Sequence, residues 1–161
     1  KPAEEGWIGM LCLPRIVERK GNHIYFRMHP NVRAAYSKEI TDISCASKDG
    51  YMAVFVLEDG ESADIGGFLI KRKGNRIQTD RTAVYPSFEG AHLLSETPEL
   101  TDGCRIEVLA DKNLIEVYIN DGEYVISNAV YGIGDFIKVN IEKTVHLYTL
   151  KEHDERTRGE E

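Results

Sequence analysis

Four carboxylates lie close together in one stretch of the chain: Asp111, Glu116, Asp121 and Glu123. Most glycosidases hydrolyse a glycosidic bond with two carboxylates that flank it, so this spacing makes the four residues candidates for glycosidase catalysis. Asp121 and Glu123, however, fall at a predicted turn, where acidic residues are common for backbone reasons, and Glu116 alternates away from the apolar side of its strand. We therefore expect these carboxylates to be solvated or to cap turns, and we predict no catalytic residue.

Histidines and cysteines form no recognisable site. The five histidines are scattered without a second ligand at metal-binding spacing, and no Gly-x-Ser-x-Gly nucleophile motif occurs. We expect no metal and no cofactor. Cys12, Cys45 and Cys104 are an odd number lying far apart, which favours buried thiols and a reducing, cytoplasmic location. A signal peptide in a preceding segment would instead make the protein extracellular.

Aromatic residues raise a different chemistry, because sugar rings stack on exposed aromatic faces. Tyr118, Tyr124 and Phe136 alternate onto a face opposite the main apolar one. If that face is open, the three rings are a candidate saccharide platform. If both faces are covered, the rings belong to the core, as large aromatic side chains usually do.

Length and charge limit the possible partners. The chain has 161 residues, the size of one domain, and a net charge of −7, so it lacks the positive field that nucleic acid requires. No run approaches the ~18 apolar residues that cross a bilayer, and no membrane partner is expected. Because the sequence starts without Met and reaches an apolar segment within six residues, we expect it to be part of a longer chain.

The alternation of apolar and polar residues predicts that most of the elements that position these side chains are β-strands. Residues 7–17 are apolar on both alternating faces, which predicts a buried strand ending near Pro14, and residues 23–28 form its hairpin partner. Residues 31–40 are the only plausible helix. From Arg105 onward the alternation is regular, and Asn120-Asp121-Gly122 supplies the positive-φ positions of a tight turn.

About ten short strands at turn spacings of roughly 8 to 12 residues are typical of an all-β protein. We predict a two-sheet antiparallel β-sandwich of the jelly-roll or concanavalin-like kind over residues 1–150. Residues 151–161 are mostly charged and hold no large apolar side chain, so we expect a disordered tail.

Three segments together resemble one family. Gly6-Trp-Ile-Gly-Met-Leu-Cys-Leu-Pro-Arg15 is similar to the G-W-x-G-x-x-x-L-P-R segment that opens the C-terminal β-sandwich of glycoside hydrolase family 32, the invertases, fructanases and sucrose-6-phosphate hydrolases. Residues 105–123 resemble that family's D-x-S-x-V-E-x-F-x-N-D-G-E hairpin, with Asn113, Leu114 and Tyr118 as departures. Thr79-Asp-Arg81 also fits, and the order of the three segments agrees.

This resemblance implies that catalysis takes place in another domain. In the family a five-bladed β-propeller carries the nucleophile in W-x-N-D-P-N-G, a stabilising Asp in R-D-P and the acid/base in E-C, and this sequence contains none of these motifs. The expected function is a non-catalytic module that stabilises the N-terminal propeller of a β-fructofuranosidase, with a second copy in a dimer as a further partner. Trp7 and Met10 are the expected interdomain contacts. The alternative is a carbohydrate-binding module with its own affinity for fructan.

Overall fold

A computed structural model describes residues 10–46, 50–86, 89–139 and 144–151. Almost all of the regular structure in these residues is extended, as the alternating sequence predicts. One short helix, α1, spans Pro30–Ala35. The strands are β1 Arg15–Lys20, β2 His23–Met28, β3 Lys38–Ile40, β4 Tyr51–Val56, β5 Ser62–Ile65, β6 Phe68–Lys73, β7 Arg76–Asp80, β8 Leu94–Glu96, β9 Arg105–Asp111, β10 Leu114–Ile119, β11 Tyr124–Ala129, β12 Ile137–Val139 and β13 His146–Thr149.

The strands form two large antiparallel sheets and one separate hairpin. One sheet has six strands in the order β11-β10-β9-β4-β13-β3, and the other has five in the order β12-β5-β6-β7-β8. The edge strands β3, β8 and β12 have three residues each. Strands β1 and β2 pair only with each other. The predicted antiparallel β-sandwich is confirmed.

The core lies between the two large sheets. Alternate residues of β4, β9 and β10 point inward from the six-stranded sheet and meet those of β5, β6 and β7, as a period of two residues requires. Burial of these aliphatic and aromatic side chains is the main favourable term in folding. The central members of this cluster are Phe55, Ile65, Phe68, Ile70, Ile77, Ile106, Val108, Ile115, Val117 and Ile119.

A second, smaller cluster covers the outer face of the six-stranded sheet. Met52, Leu109 and Tyr118 project from this face and contact Met28 of β2 and Tyr36, which follows α1. The hairpin β1–β2 and helix α1 therefore lie on the side of this sheet that faces away from the main core. Both faces of the sheet are covered in this region, and side chains there are buried although they alternate away from the main core.

The first predicted elements differ from the observed ones in position. In the described part of the segment predicted to be a buried strand, residues 10–14 are not in a strand, β1 begins at Arg15, and β1 is mostly exposed; residues 7–9 lie outside the described ranges. Pro14 precedes the strand, because a residue without an N–H is tolerated at a strand boundary and not inside a ladder. Strand β2 is confirmed over His23–Met28. The helix starts with Pro30 at its first turn and is shorter than the predicted 31–40, because residues 38–40 pair with β13 instead.

Several predictions concern residues outside the described ranges. The segment 152–161 of the predicted tail is one of them, and Trp7 is another. In the described part of the chain, no helix has the length and apolar character needed to cross a bilayer.

Candidate functional site

The hairpin β1–β2 rests on the tight turn between β10 and β11. The backbone N–H of Phe26 donates to the carbonyl of Gly122 at 2.8 Å. A side chain at Gly122 would collide with the Phe26 carbonyl and would lie 2.9 Å from the Arg27 nitrogen. The φ angles of Asn120, Asp121 and Gly122 are 49°, 59° and 93°, so the predicted positive-φ turn is confirmed. Glycine is required here both by the left-handed backbone and by the close approach of β2.

Arg15 binds a buried carboxylate on the outer face of the six-stranded sheet. Its guanidinium forms an ion pair with Glu116 and a hydrogen bond to Ser127. Glu116 has a fully buried side chain, and it also accepts hydrogen bonds from the Tyr118 hydroxyl at 2.8 Å and the Ser127 hydroxyl at 3.0 Å. A buried charge is tolerated when it is paired and its remaining lone pairs are hydrogen-bonded, and both conditions hold here.

A second buried carboxylate, Glu107, is held by two arginines. Arg33 of α1 donates to both carboxylate oxygens of Glu107, at 2.5 and 2.6 Å, and Arg105 donates at 2.7 Å. Burial by itself would raise the pKa of Glu107, but the hydrogen bonds from Arg33 and Arg105 outweigh it and hold the pKa below its usual value. The hydrogen bond to Glu107 likewise raises the pKa of Arg33. Glu107 is therefore ionised at neutral pH and ties α1 to strand β9.

Strand β2 of the hairpin makes a third set of polar contacts. Arg27 lies between two carboxylates, Glu18 at 2.9 Å and Asp121, with which it forms a close ion pair. A ring nitrogen of His23 lies 2.7 Å from the carbonyl oxygen of Glu123, and the His23 ring packs edge-on against Tyr124. These contacts fix the orientation of the hairpin relative to β10 and β11.

The sequence predicts that these carboxylates are solvated or cap turns. Capping is correct for Glu123, whereas solvation is wrong for Glu116 and Glu123. Glu123 does cap: it accepts hydrogen bonds from the Thr101 backbone N–H at 2.7 Å and from the Asn120 amide at 2.8 Å. Both Glu116 and Glu123 are buried, however, so neither is solvated. Sequence alternation indicates correctly that Glu116 faces away from the main core, but it carries no information on the hairpin that covers this face.

Glu107, the carboxylate bound by two arginines, is not predicted from the sequence. The available signal was its place in β9, two positions from an arginine and in register with Tyr118 of β10. A carboxylate bound by two guanidinium groups is stabilised as the anion and does not release or take up a proton near neutral pH. This arrangement is therefore suited to fixing α1 on strand β9.

One face of the hairpin carries exposed apolar side chains. Val17 and Phe26 are direct cross-strand partners, and Ile24 lies two residues before Phe26, so the three share a face. Their exposed fractions are 63%, 43% and 50%. We call these three residues the hairpin apolar face. Contiguous apolar side chains that are exposed on a rigidly held element typically mark a contact surface.

The predicted sugar-stacking platform does not exist as one face. The ring of Tyr118 is fully buried in the cluster under the hairpin and cannot stack on a ligand. Tyr124 is half-buried and packs against the main core, on the opposite face of the sheet. Phe136 is 36% exposed and precedes β12 of the other sheet. The prediction failed because alternation orders residues within one strand and does not show what packs over them.

The other predicted residues have varied outcomes. Met10 is half-buried, and its expected interdomain role stays a prediction; Trp7 lies outside the described residues. Arg81 donates to the carbonyls of His92 and Ala129 and stacks on the Tyr85 ring at 3.8 Å, so it ties a loop to the end of β11. No group of three His, Cys, Asp or Glu side chains in the described residues is placed to hold a metal ion.

The chain was compared with family models and with curated protein sequences. A family model described as "Glycosyl hydrolases family 32 C terminal" matches residues 28–154. Among curated protein sequences no relative matches this chain.

Several solved structures share the fold. The chain is similar to sucrose-6-phosphate hydrolase from Lactobacillus gasseri, with a TM-score of 0.68 and 14% identity over 84% of this chain and 32% of that one. It is also similar to a β-fructofuranosidase from Bombyx mori, with a TM-score of 0.70 and 13% identity over 92% and 34%. A glycoside hydrolase family 32 structure from Bifidobacterium adolescentis is similar with a TM-score of 0.61 and 18% identity, over 86% of this chain and 25% of that one. The chain thus spans about a third or less of the length of these structures.

Proposed function

The chain belongs to the family of glycoside hydrolase family 32 C-terminal domains, and from that premise we propose that it is the non-catalytic β-sandwich module of a β-fructofuranosidase-type enzyme. In this proposal an N-terminal β-propeller hydrolyses sucrose, sucrose 6-phosphate or a fructan. The sandwich packs against that propeller and stabilises it. The similar solved structures, of which this chain matches only a part, support a longer parent protein.

The hairpin apolar face is the observation that carries the docking role. Val17, Ile24 and Phe26 are exposed, whereas the polar side of the same hairpin is fixed to the sandwich by Arg27 and His23. An apolar face that is held rigidly loses little conformational entropy when a partner covers it. Burying it would contribute about 25 cal/mol for each Å² of apolar surface removed from water. We therefore assign this face to the contact with the propeller.

The arrangement of charges supports a role without catalysis. Glu107 and Glu116 are each held by arginine, and the Glu123 carboxylate accepts two hydrogen bonds within the turn region. Carboxylates that act in glycoside hydrolysis need access to the substrate and, for the acid, a raised pKa. All three carboxylates are buried and therefore lack access to a substrate, and the pKa of Glu107 is held below its usual value.

A cytoplasmic location and a dimer are further parts of the proposal. The expectation of buried thiols holds for Cys104 and is wrong for Cys12 and Cys45, which are exposed; free exposed thiols persist best in a reducing compartment. The hairpin apolar face would also serve a second copy of the enzyme if the propeller covers only part of it.

The test starts from the gene that encodes this chain. The proposal requires an upstream reading frame, continuous with Lys1, that encodes a propeller with the N-D-P-N, R-D-P and E-C motifs. In that longer protein, Val17→Ser combined with Phe26→Ser should lower the Tm of the catalytic domain by several degrees, because the docking contact is weakened. Leu69→Ser is the matched control, since Leu69 is equally exposed but lies on the other sheet.

Two results would contradict the proposal. One is a start codon immediately before Lys1, which would leave no propeller to stabilise. The other is release of reducing sugar from sucrose by the purified chain alone, persisting after a second purification step.

A further inference from the structure

An open groove of about 550 Å³ crosses the outer face of the five-stranded sheet, on the side of the sandwich opposite the hairpin. This volume lies within the usual range for small-molecule sites. Neither the packing of the core nor the proposed docking to a propeller accounts for it. The groove is lined by Leu69, Lys71, Gln78, Thr79, Asp80, Leu94, Ser95 and Glu96.

The floor of the groove consists of two rows of side chains across strands β6, β7 and β8. In one row Asp80 lies between Leu69 and Leu94, and the register of the strands places the three side by side. Leu94 is 69% exposed. This row therefore combines one hydrogen-bond acceptor with apolar surface on both sides, so a ligand with hydroxyl groups and C–H faces would match it.

The second row is polar throughout. Gln78 lies between Lys71 and Glu96 and donates a hydrogen bond to Glu96 at 2.5 Å. The row offers an ammonium donor, an amide that both donates and accepts, and a carboxylate acceptor. Such a mixture suits hydroxyl groups, which also act in both roles.

The acceptors are held in place before any ligand binds. Asp80 accepts hydrogen bonds from the backbone N–H of Thr82 at 2.8 Å and from its hydroxyl at 2.5 Å. Glu96 is fixed by Gln78 and lies 3.4 Å from Arg76. Groups that are already ordered lose less conformational entropy on binding.

The charges in and beside the groove balance. Asp80 and Glu96 contribute two negative charges, whereas Lys71 and the neighbouring Arg76 contribute two positive ones. A phosphorylated ligand would meet both carboxylates, and a cationic one would meet the lysine. The balance favours an uncharged ligand.

A second cavity extends the groove along the sheet. It has a volume of about 490 Å³ and shares Asp80 and Leu94 with the first. Thr82 and His92 add two further polar side chains there. Two adjoining cavities on one face fit a ligand of several linked rings better than a single ring.

We propose that this groove binds a neutral oligosaccharide, with Lys71, Gln78, Asp80 and Glu96 as partners of its hydroxyl groups and with Leu69 and Leu94 against its C–H faces. The site lies on the sheet opposite the hairpin apolar face, so one module can contact a propeller and a saccharide chain at the same time. The groove itself does not depend on the proposed function; only the choice of a fructose-containing probe rests on it.

The test is a titration of the ¹⁵N-labelled 161-residue chain, followed by amide chemical shifts, with 1-kestose and separately with maltotriose. We expect saturable shifts confined to β6, β7, β8 and the segment around His92. Gln78→Ala and Lys71→Ala should each weaken binding about fivefold, as the loss of one hydrogen bond predicts. Leu11→Ser, at an exposed position outside the groove, is the control and should bind like the unmodified chain.

Each result of the titration either supports or overturns the saccharide site. Localised shifts with either saccharide that weaken in both groove variants support the site. Binding of maltotriose alone would still support it, while counting against a fructoside-cleaving parent. An absence of shifts with both probes, shifts elsewhere on the chain, or unchanged affinity in both groove variants overturns the proposal.

Discussion

Arg15 and Glu116 are 101 positions apart in the sequence and form an ion pair on the covered face of the six-stranded sheet. Arg15 belongs to the Leu-Pro-Arg segment, and Glu116 belongs to the Glu-Val-Tyr-Ile-Asn-Asp-Gly-Glu hairpin. Two of the three segments that carry the family resemblance therefore meet in space. This contact fixes β1 to strand β10 of the six-stranded sheet.

Removing the arginine of this ion pair should lower the stability of the folded chain. Arg15→Met leaves Glu116 buried without its guanidinium partner, and we expect a loss of about 3 kcal/mol in the free energy of unfolding. Urea denaturation followed by circular dichroism measures it. In the double variant Arg15→Met with Glu116→Met, the loss should be clearly smaller than the sum of the two single losses, because no charge stays buried.

A surface pair provides the comparison for that experiment. Arg76 lies near Glu96 and Glu99, and all three side chains are well exposed. Arg76→Met should cost less than about 1 kcal/mol. Equal losses for the Arg15 and Arg76 variants would show that the buried pair does not hold the hairpin.

The turn glycine that contacts β2 should tolerate no side chain. Gly122→Ala places a methyl group against the Phe26 carbonyl, in addition to the strain of a positive φ. Gly21→Ala is the matched control, because Gly21 also has a positive φ but nothing within 4 Å of the added methyl group. In urea denaturation we expect Gly21→Ala to lower the free energy of unfolding by about 1 kcal/mol, and Gly122→Ala to lower it by at least twice that amount. Equal values would mean that β2 moves aside freely.

Glu107 should make stability depend on pH in the acidic range. Its pKa is lower in the folded chain than in the unfolded one, because Arg33 and Arg105 stabilise the anion. This stabilisation is complete above the unfolded-state pKa of about 4.3 and is lost as the pH falls through the lower folded-state value. The difference in unfolding free energy between the unmodified chain and Glu107→Gln should therefore be largest at neutral pH and shrink in acid.

The control for this titration is an exposed carboxylate. Glu89 lies at the surface, so Glu89→Gln removes one carboxylate without breaking a buried ion pair, and it should change the free energy of unfolding at neutral pH by less than about 0.5 kcal/mol. The role of Glu107 would be refuted by a Glu107→Gln variant whose stability differs from that of the unmodified chain by the same amount at every pH.

The three cysteines should differ in reactivity. Cys104 is buried, and burial raises the pKa of its thiol to about 11, whereas Cys12 and Cys45 are exposed. Since the thiolate is the reactive form, iodoacetamide at about pH 8 should modify two cysteines in the folded chain and the third only after unfolding. Mass spectrometry of the digested chain identifies the sites. Rapid labelling of Cys104 in the folded chain would contradict the buried position.

Local features were well predicted from the sequence. The turn at Asn120–Gly122 forms where expected, because those residue types adopt positive φ with little strain. The strands around it follow from strict alternation, which depends only on neighbours in the sequence. For the same reason β2 was placed correctly.

Long-range features were not predicted. Alternation places Glu116 and Tyr118 on the face away from the core, but only the folded chain shows that β1, β2 and α1 cover this face. The first apolar segment was expected to be buried between two layers, yet β1 pairs only with β2 and is mostly exposed. In each case the deciding contact joins residues far apart in the sequence.

The short edge strands of both sheets have a consequence for behaviour at high concentration. Strands β3, β8 and β12 each have three residues, and β2 contacts the fourth edge strand, β11. An edge of this length offers a neighbouring molecule few unpaired N–H and C=O groups, so strand-by-strand polymerisation into fibrils has little to start from. The edges of the two large sheets, in the part of the chain that the structure describes, thereby resist pairing with further strands, and the side-chain faces of the sandwich are left to make contacts with other molecules.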